Sequence, residues 1–331
     1  MEMYELGRSG IRVSPVALGT WAVGGGPWWG ASNDEESIAA IRTALDAGVN
    51  LVDTAPIYYF GHSERVVGRA LKDGYREKAV VATKCGLPWF TDAPGPLWFE
   101  QDGRRVVSCC QAAFIRREIE ESLRNLGVDV IDLYQLHLPQ QSGLDVPVDE
   151  TMGVLLDLKR EGKVRAVGLS NVTVPQLKDY LACGVVDTVQ NKYSMLDRAA
   201  EAEVLPFCRE HGIAFLGYQP LEQGLLTGKI RPETELAPGS FRNAIKWYEP
   251  SWRTKICAML EGWGDLTDKY ACSTAQLVIA WTAAQAGVTS VLCGARKVRN
   301  ASENAQSAEV SLDSADLARM RADVERLCQL S

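Results

Sequence analysis

The sequence lacks the patterns that mark several large classes of enzyme. It has three histidines, at positions 62, 137 and 211, and no H-E-x-x-H motif, so we expect no catalytic zinc and no other metal centre. It has no Y-x-x-x-K pair, and the glycines of residues 24–30 do not have the G-x-G-x-x-G spacing. These absences argue against a short-chain dehydrogenase and against a doubly wound dinucleotide-binding fold.

The cysteines show no pairing pattern. Nine are present, an odd number, with no C-x-x-C motif, and Cys109 and Cys110 are the only two that lie close together in the sequence. We therefore expect neither a disulfide framework nor a structural zinc site, which favours the reducing environment of the cytoplasm. The first ten residues contain no apolar signal region, so no signal peptide is expected.

Basic residues are fewer than acidic ones. The chain has 35 lysines and arginines against 42 aspartates and glutamates, which gives a net charge of −7. Nucleic acid and anionic lipid both favour a basic surface, so we expect a small-molecule partner, no nucleic acid and no membrane. The sequence leaves open whether the chain forms an oligomer.

One long segment without charge could be mistaken for a membrane span. Residues 270–295 carry no charged side chain over 26 positions. Polar residues and a glycine interrupt the segment, among them Gln276, Gln285 and Gly287. We therefore predict a buried helix, a turn and a buried strand here.

Short apolar runs alternate with helical patterns along the chain. This alternation is typical of strands and helices around a parallel sheet, and eight such units predict an α/β fold, the (β/α)8 TIM barrel. The predicted strands are 16–20, 50–55, 79–84, 130–137, 164–170, 186–191, 213–219 and 289–294. The predicted helices include 34–47, 63–73, 111–126, 149–161, 174–183 and 200–211.

The remaining segments complete a single predicted domain over residues 1–331. Residues around Ser9 and Gly10 predict a small hairpin before the barrel, and helices follow it at the C-terminal end. The connections 21–33, 85–110 and 220–250 are too long for plain turns and are rich in tryptophan, glycine and phenylalanine. All three follow strand ends on one face of the barrel, so we expect them to be functional.

Reactive side chains stand at the ends of three successive predicted strands. Asp53, Lys84 and His137 end strands two, three and four, and Tyr58 follows Asp53 by five residues. The carboxyl ends of parallel strands share one face of a barrel, so these four side chains can converge. Each alone is more simply explained as a cap, a surface residue or a core histidine. Together they could polarise a carbonyl group and protonate the developing alkoxide.

The segments around these residues resemble the aldo-keto reductase family. DTAPIYYFGHSERVVGRAL (53–71), VATKCG (81–86) and IDLYQLH (131–137) are similar to its aspartate–tyrosine, lysine and histidine motifs. The resemblance runs from about residue 3 to residue 325 and is strongest to bacterial NADPH-dependent sugar or aldehyde reductases. It implies that Tyr58 is the general acid, that Lys84 lowers its pKa, that Asp53 pairs with Lys84 and that His137 orients the substrate carbonyl.

The same resemblance implies a nicotinamide cofactor across the strand ends. NADPH is favoured and NADH is the alternative, because Arg296 stands where members hold the 2′-phosphate, with Lys297 and Arg299 nearby. Asn300 stands where many members have arginine or glutamine, which weakens the case for the phosphate. The implied cofactor-binding residues are Ser170, Asn171, Gln190, Tyr218, Gln219, Pro220, Leu221, Gln223, Gly224, Leu225, Gly294, Arg296, Asn300, Glu303 and Asn304.

The substrate pocket is predicted from clustered tryptophans and from departures from the family pattern. Indoles at a pocket mouth bind sugar faces or flat apolar rings, although each could instead anchor its own loop. The candidates are Trp21, Trp28, Trp29 and Trp89, with Trp98 nearby, and Arg242, Lys246 and Trp247 could meet an anionic group. The departures are Tyr59, Gln219 and Leu138-Pro139-Gln140.

Three functions fit this sequence. The first is reduction of an aldehyde or ketone, with a sugar-derived carbonyl as the hypothesised substrate. The second is a dehydrogenase that runs the same chemistry in reverse on a sugar hydroxyl or hemiacetal. The third is a cofactor-binding regulatory subunit, since the family resemblance extends to potassium-channel β subunits.

Overall fold

The computed structural model describes residues 1–139, 144–237 and 239–329. Eight parallel strands close into a barrel in the order β3-β4-β5-β8-β9-β10-β11-β12, and two small antiparallel hairpins, β1-β2 and β6-β7, lie outside it. The strands are β1 (Tyr4–Glu5), β2 (Arg12–Val13), β3 (Val16–Gly19), β4 (Leu51–Asp53), β5 (Val80–Cys85), β6 (Leu97–Gln101), β7 (Arg104–Val107), β8 (Ile131–Leu136), β9 (Val164–Ser170), β10 (Thr188–Lys192), β11 (Ala214–Tyr218) and β12 (Val288–Gly294).

Helices surround the barrel and extend past it at the C-terminal end. The helices are α1 (Gly26–Trp29), α2 (Asp34–Asp46), α3 (His62–Ala70), α4 (Ala112–Leu126), α5 (Val148–Arg160), α6 (Val174–Cys183), α7 (Val204–His211), α8 (Pro250–Glu261), α9 (Gly264–Lys269), α10 (Thr274–Ala283), α11 (Val298–Gln306) and α12 (Ser314–Gln329). The predicted barrel, the N-terminal hairpin and the C-terminal helical extension are confirmed.

Helix α2 illustrates how local sequence sets these elements. The Asn33 side chain accepts a hydrogen bond from the Glu36 amide at 3.1 Å, and three acidic residues occupy the positively polarised first turn. Ala40, Ile41 and Ala44 recur at helical spacing and are buried, so this face packs against the barrel.

The barrel interior is filled by apolar side chains and closed at its amino-terminal end by the β1-β2 hairpin. The hairpin side chains Leu6, Ile11 and Val13 belong to the same buried cluster as the interior residues of the strands. The interior residues are Ala17, Leu51, Val80, Ala82, Leu133, Ala166, Ala214, Leu216 and Leu292. The interior is therefore a packed core, and access to it is left to the opposite end.

The long connection 85–110, for which the sequence analysis predicted no secondary structure, contains a hairpin. It contains the hairpin β6-β7, whose turn is Asp102-Gly103 with positive φ at both residues, 51° and 72°. Two consecutive left-handed residues match the right-handed twist of a hairpin, and the sequence Asp-Gly is suited to them. This hairpin stands beside the carboxyl ends of the barrel strands.

The uncharged segment 270–295 forms helix α10 and strand β12, as predicted. Among the described residues, no helix has both the length and the apolarity that crossing a bilayer requires. Within the same ranges, no group of three or more histidine, cysteine or acidic side chains could hold a metal ion, and no disulfide joins two cysteines.

Candidate active site

The side chains that fill the barrel interior change from apolar to polar near the carboxyl ends of the strands. Side chains two residues apart on a strand point to the same face, so the residue two positions after each apolar interior residue also faces inward, one level higher in the barrel. At that level stand Asp53 after Leu51, Lys84 after Ala82 and Gln135 after Leu133. Lys84 and Gln135 are register partners on β5 and β8, which places them side by side.

A buried ion pair is the centre of this polar layer. Lys84 Nζ lies 2.6 Å from Asp53 Oδ1, and both side chains are almost fully buried. Lys84 also donates to the Thr54 carbonyl at 2.9 Å and to the Tyr58 hydroxyl at 3.2 Å. Since the hydroxyl oxygen accepts the hydrogen bond from the ammonium, its own proton is left to point into the cavity.

Two amide side chains hold the other carboxylate oxygen of Asp53. Gln190 Nε2 donates to Oδ2 at 2.8 Å and Gln135 Nε2 donates to it at 3.2 Å. Gly168 on β9 lies between Gln135 of β8 and Thr188 of β10, where a Cβ atom would come within 2.9 Å of Gln135 and 2.1 Å of Thr188. Sequence reasoning missed Gln135, although a glutamine among inward-facing apolar residues of a strand signals a buried polar partner.

The pKa of Tyr58 departs from the sequence expectation. Burial raises the pKa above its usual value of 10.0; the ammonium of Lys84 lowers it through charge and a hydrogen bond, and the charge of Asp53 raises it. The net pKa is raised, so the expected lowering describes the contribution of Lys84 alone. Burial also lowers the pKa of Lys84, but Asp53 and Tyr58 outweigh it and the net pKa is raised. At neutral pH the pair is therefore a protonated phenol beside a charged ammonium.

His137 follows strand β8 directly and lines the cavity opposite Tyr58, with the two ring centroids 6.1 Å apart. Burial lowers its pKa well below 6.5, and the positive charge of Lys84 lowers it further. The imidazole is therefore neutral at neutral pH. A neutral imidazole has one N–H group, which can donate a hydrogen bond to a carbonyl oxygen without transferring the proton.

The polar layer opens into a cavity of about 1100 Å³ that runs from Tyr58 to helix α11. Lys84 lies beneath its floor. The predicted site residues that line it are Asp53, Tyr58, His137, Ser170, Asn171, Gln190, Tyr218, Gln219, Pro220, Leu221, Gln223, Gly224, Gly294, Arg296, Asn300, Glu303, Asn304, Trp21, Trp28 and Trp29.

Two of the residues predicted for the site do not line the cavity. Leu225 is fully buried in the cluster formed with the C-terminal helices, because the short helical turn Glu222–Thr227 directs it away from the cavity. Trp89 packs against Phe60, with 5.6 Å between ring centroids, and does not line the cavity. For Trp89 this contact is what the alternative of loop anchoring predicts.

The cavity walls fit an elongated dinucleotide. At one end, the Tyr218 hydroxyl donates to Asn171 Oδ1 at 2.7 Å, and Asn171 Nδ2 donates to the His137 carbonyl at 3.0 Å, which fixes polar groups beside the catalytic end. Gln190 also lines this end of the cavity, and its Nε2 atom donates to Asp53. When bound, a nicotinamide cofactor would supply the hydride.

The middle of the cavity is formed by a strained loop after β11. Gln219, Glu222 and Gln223 adopt positive φ values of 60°, 42° and 56°, which non-glycine residues rarely do. Glu222 is held by an ion pair with Lys192 at 3.2 Å and a hydrogen bond from Ser194 at 2.5 Å. The Oε1 atom of Gln223 is buried without a hydrogen-bond partner, which suits a wall that receives a polar ligand.

The far end of the cavity is basic. Arg296 and Lys297 line it between β12 and α11. Arg296 Nη1 donates to the carbonyl oxygens of Trp29 and Ala31, at 3.1 and 3.3 Å. Glu303 is paired with Lys229 at 2.9 Å. An arginine with donors to spare suits an anionic group at this end.

An aromatic wall faces Tyr58 across the cavity. Trp21 is its central ring, 6.5 Å from Tyr58, 5.2 Å from Trp29 and 5.6 Å from Phe241 between centroids. Trp28 packs on Phe99 of strand β6 at 5.6 Å. Phe99 and Phe241 also line the cavity, and the sequence analysis named neither; Trp98, named beside the candidates, lines it as well.

The remaining pocket candidates divide into two groups. Arg242 lines the cavity and donates to the Gln223 carbonyl at 2.9 Å, whereas Lys246 lies over the rings of Trp247 and Trp252, outside the lining. Of the departures from the family pattern, Tyr59, Gln219 and Leu138 line the cavity, and Gln140 lies outside the described residues.

Thiols near the site are buried and protonated. Cys293 belongs to the cavity lining but is only 1% exposed, and Cys85 follows Lys84 on the outward side of β5. Burial raises the pKa of both thiols above the ordinary value of 9.0. Neither is therefore available as a thiolate nucleophile at neutral pH.

Comparison with known proteins gives consistent matches. The model of the aldo/keto reductase family matches residues 15–325. The chain is 41% identical over 328 residues, 99% of each protein, to the NADH-specific methylglyoxal reductase of Escherichia coli (strain K12). Among solved structures, it is similar to the glycerol dehydrogenase AKR11B4 of Gluconobacter oxydans, with a TM-score of 0.84, 34% identity and coverage of 95% of this chain and 92% of that one.

A Klebsiella pneumoniae aldo/keto reductase, solved in complex with NADP and acetate, is similar at a TM-score of 0.72 and 25% identity, with coverage of 97% of this chain and 95% of that one. All of these matches extend over nearly the whole chain.

Proposed function

Because the chain belongs to the aldo/keto reductase family and is thus an oxidoreductase of carbonyl substrates, we propose that it reduces an aldehyde or ketone with Tyr58 as the general acid. The hydrogen bond of 3.2 Å from Lys84 to the Tyr58 hydroxyl carries this proposal, because it directs the phenol proton to the cavity. Asp53 holds Lys84 in place. Neutral His137 donates a hydrogen bond to the carbonyl oxygen and orients it for the incoming hydride.

The change Tyr58→Phe tests the assignment of the acid. It removes the hydroxyl and keeps the ring that packs near Trp21, so we expect kcat/KM to fall by about 10²- to 10⁴-fold, the usual contribution of a positioned acid. Cofactor affinity, measured by quenching of tryptophan fluorescence, should stay within about twofold of the wild type. Tyr4→Phe, at an exposed position of strand β1 outside the cavity, is the control and should leave both quantities unchanged. Normal turnover in Tyr58→Phe rejects the role of this residue.

NADPH is the proposed cofactor, and NADH is the alternative. Arg296 and Lys297 at the far end of the cavity support NADPH, since a guanidinium fork suits a phosphate dianion. The NADH-specific relative at 41% identity favours NADH. Dissociation constants of the two cofactors for the wild type decide between them, and a lower constant for NADH contradicts the proposal.

The substrate is proposed to be a small carbonyl compound, with sugar-derived aldehydes as the leading class. The cluster of Trp21, Trp28 and Trp29, whose rings meet edge to face, supports this, because indole faces pack against the C–H faces of sugars and against flat apolar groups alike. A panel of glyceraldehyde, methylglyoxal and benzaldehyde separates the classes. A kcat/KM for benzaldehyde at least tenfold above that for glyceraldehyde contradicts the sugar assignment.

A dehydrogenase acting on a polyol or sugar hydroxyl is the second candidate. The likeness to the Gluconobacter oxydans glycerol dehydrogenase favours it, and the same Tyr58 would then act as base. Comparing reduced-cofactor oxidation with oxidised-cofactor reduction across the matched carbonyl and alcohol pairs decides the direction. The cytoplasmic location and the single domain over residues 1–331 stay predictions, and the nine cysteines without a disulfide are consistent with the former.

A further inference from the structure

The aromatic wall depends on a loop that has few attachments. Residues 25–32, here called the tryptophan loop, carry Trp28 and Trp29 and include helix α1. Inside the loop, the Gly30 amide donates to the Gly26 carbonyl at 2.8 Å. Trp29 Nε1 and Ser32 Oγ are buried and make no hydrogen bond. Aromatic packing of Trp28 and Trp29 on Trp21, Phe99 and Phe241 therefore holds the loop, while its polar groups make few hydrogen bonds to other segments.

Within the described residues, both hydrogen bonds that join residues 26–32 to another segment come from Arg296. They end on the carbonyl oxygens of Trp29 and Ala31, at 3.1 and 3.3 Å, and more than 260 residues separate donor and acceptors in the sequence. Arg296 stands in the short connection between β12 and α11. One guanidinium thus ties the substrate wall to the far end of the cavity.

The geometry of the guanidinium leaves three of its five N–H donors without a hydrogen bond to the loop. Both described hydrogen bonds use Nη1, and a guanidinium has five N–H groups, so Nη2 and Nε present a second edge with three. That edge matches the oxygens of a phosphate, and Lys297 beside it adds positive charge. Occupation of the second edge does not require release of the loop carbonyls.

We propose that Arg296 couples the two ends of the cavity. It holds the tryptophan loop through Nη1, and a phosphate at the 2′ position of the cofactor binds the opposite edge of the same guanidinium. The phosphate immobilises the guanidinium and so stabilises the loop in the position described. This inference rests on the proposed NADPH preference for its second half. Its first half, the attachment of the loop by Arg296, concerns this chain alone.

The physical reason for the coupling is conformational entropy. An arginine side chain without a ligand samples several rotamers, and each departure breaks both hydrogen bonds to the loop. A phosphate that fixes the guanidinium removes these departures, so the loop opens less often. Substrate then meets an ordered wall of Trp21 and Trp29, and the identity of the cofactor affects the affinity for the carbonyl substrate.

Amide hydrogen exchange of residues 26–32 tests the attachment without any ligand. Arg296→Ala should raise exchange in this loop by about tenfold, because it removes two hydrogen bonds from a charged donor. The matched control Lys297→Ala removes a neighbouring cation that makes no described bond to the loop, and it should leave exchange unchanged. Equal exchange in the wild type and in Arg296→Ala overturns the proposal.

Two nucleotide fragments test the coupling. Adenosine 2′,5′-bisphosphate should slow exchange of the loop in the wild type by at least threefold at saturation, whereas 5′-AMP, which lacks the 2′-phosphate, should not. Arg296→Lys keeps the charge but has no fork, so it should bind the bisphosphate without protecting the loop. Protection that persists in Arg296→Lys, or no protection in the wild type once the bisphosphate is bound, overturns the coupling.

If the proposed NADPH preference is wrong, these experiments give a result that differs from a failure of the coupling. If the bisphosphate binds the wild type no better than 5′-AMP, the NADPH preference is wrong and the coupling falls with it, while the ligand-free comparison still decides whether Arg296 holds the loop.

Discussion

At the scale of single residues, burial affects the pKa values of Tyr58 and His137 more than neighbouring charges do. Tyr58 illustrates this, because burial raises the pKa of its phenol more than the neighbouring ammonium of Lys84 lowers it. Burial lowers the pKa of His137 for the same reason, since it disfavours the charged form of either group, the phenolate or the imidazolium. Tyr58 is thus kept protonated and His137 neutral at the same pH. A carbonyl reductase needs both states together, one to give a proton and the other to donate a hydrogen bond.

Glu118 is a buried carboxyl whose ionisation affects stability. Its Oε2 atom accepts a hydrogen bond from the Gly86 amide at 2.8 Å, and burial raises its pKa from 4.5 to about 8. Between these two values the folded protein keeps a proton that the unfolded chain releases, so stability falls as pH rises from about 4.5 to about 8.

Glu118→Gln should therefore flatten the pH dependence of stability. We expect the free energy of unfolding, from urea titration at pH 5 and pH 8, to fall with pH by a few kcal/mol more in the wild type than in the variant, on the order set by linkage. Glu100→Gln, at an exposed position of strand β6, is the control and should keep the wild-type slope. A slope that is the same in Glu118→Gln means that the buried carboxyl does not titrate in this range.

Elements differ in how far the sequence predicts them. The barrel strands were predictable because apolar runs between helical patterns define βα units, and the observed β9 (Val164–Ser170) has the predicted ends. The hairpin β6-β7 was missed although Asp102-Gly103 is a strong turn signal, because the flanking residues Leu97–Gln101 are mostly exposed and do not alternate cleanly. Short strands on the surface carry little hydrophobic information.

The site was predictable where a residue type and a strand end coincide, as for Asp53 and Lys84. It was not predictable where the answer depends on the direction of a side chain within a loop. Trp89 and Trp98 lie in the same connection and have the same chemistry, yet Trp98 lines the cavity and Trp89 packs on Phe60. Hairpin geometry decides between them, and that geometry arises from tertiary contacts.

The turn Trp21–Gly24 positions the acid through a close backbone contact. A Cβ atom at Gly24 would lie 2.8 Å from the Tyr58 carbonyl oxygen, which is closer than real Cβ contacts allow. Gly24→Ala should therefore displace the Tyr58 segment and lower kcat/KM by about 10²-fold, since a small misplacement of a catalytic group is costly. Gly153→Ala, on helix α5 with nothing within 4 Å of the added atom, is the control and should leave steady-state kinetics unchanged. Equal kinetics for the two variants contradicts this positioning role.

In the molecule as a whole, the residues that stabilise the fold and those of the proposed active site lie at opposite ends of the barrel axis. Leu6 of the β1-β2 hairpin closes the amino-terminal end and is fully buried against the interior residues, whereas the polar layer with Asp53 lies at the carboxyl end. The ends of parallel strands that carry function are therefore distinct from those that are packed for stability.

Leu6→Ala should lower the free energy of unfolding by about 2–5 kcal/mol, the usual cost of a cavity at a buried leucine. Since the site is at the other end, kcat and KM should stay within about twofold of the wild type at a temperature where both proteins are folded. Val185→Ala, at an exposed position, is the control for urea unfolding. A variant that loses activity before it loses structure would show that the two ends are not independent.

The buried, protonated thiols near the cavity have a consequence for the lifetime of the enzyme. Aldehydes and dicarbonyl compounds are electrophiles that form adducts with thiolates and with neutral amines. Cys85 and Cys293 stay as thiols, and Lys84 stays as an ammonium that faces a carboxylate. These three groups in and beside the cavity are thus kept in their unreactive forms, so the enzyme should resist modification by electrophilic carbonyl compounds.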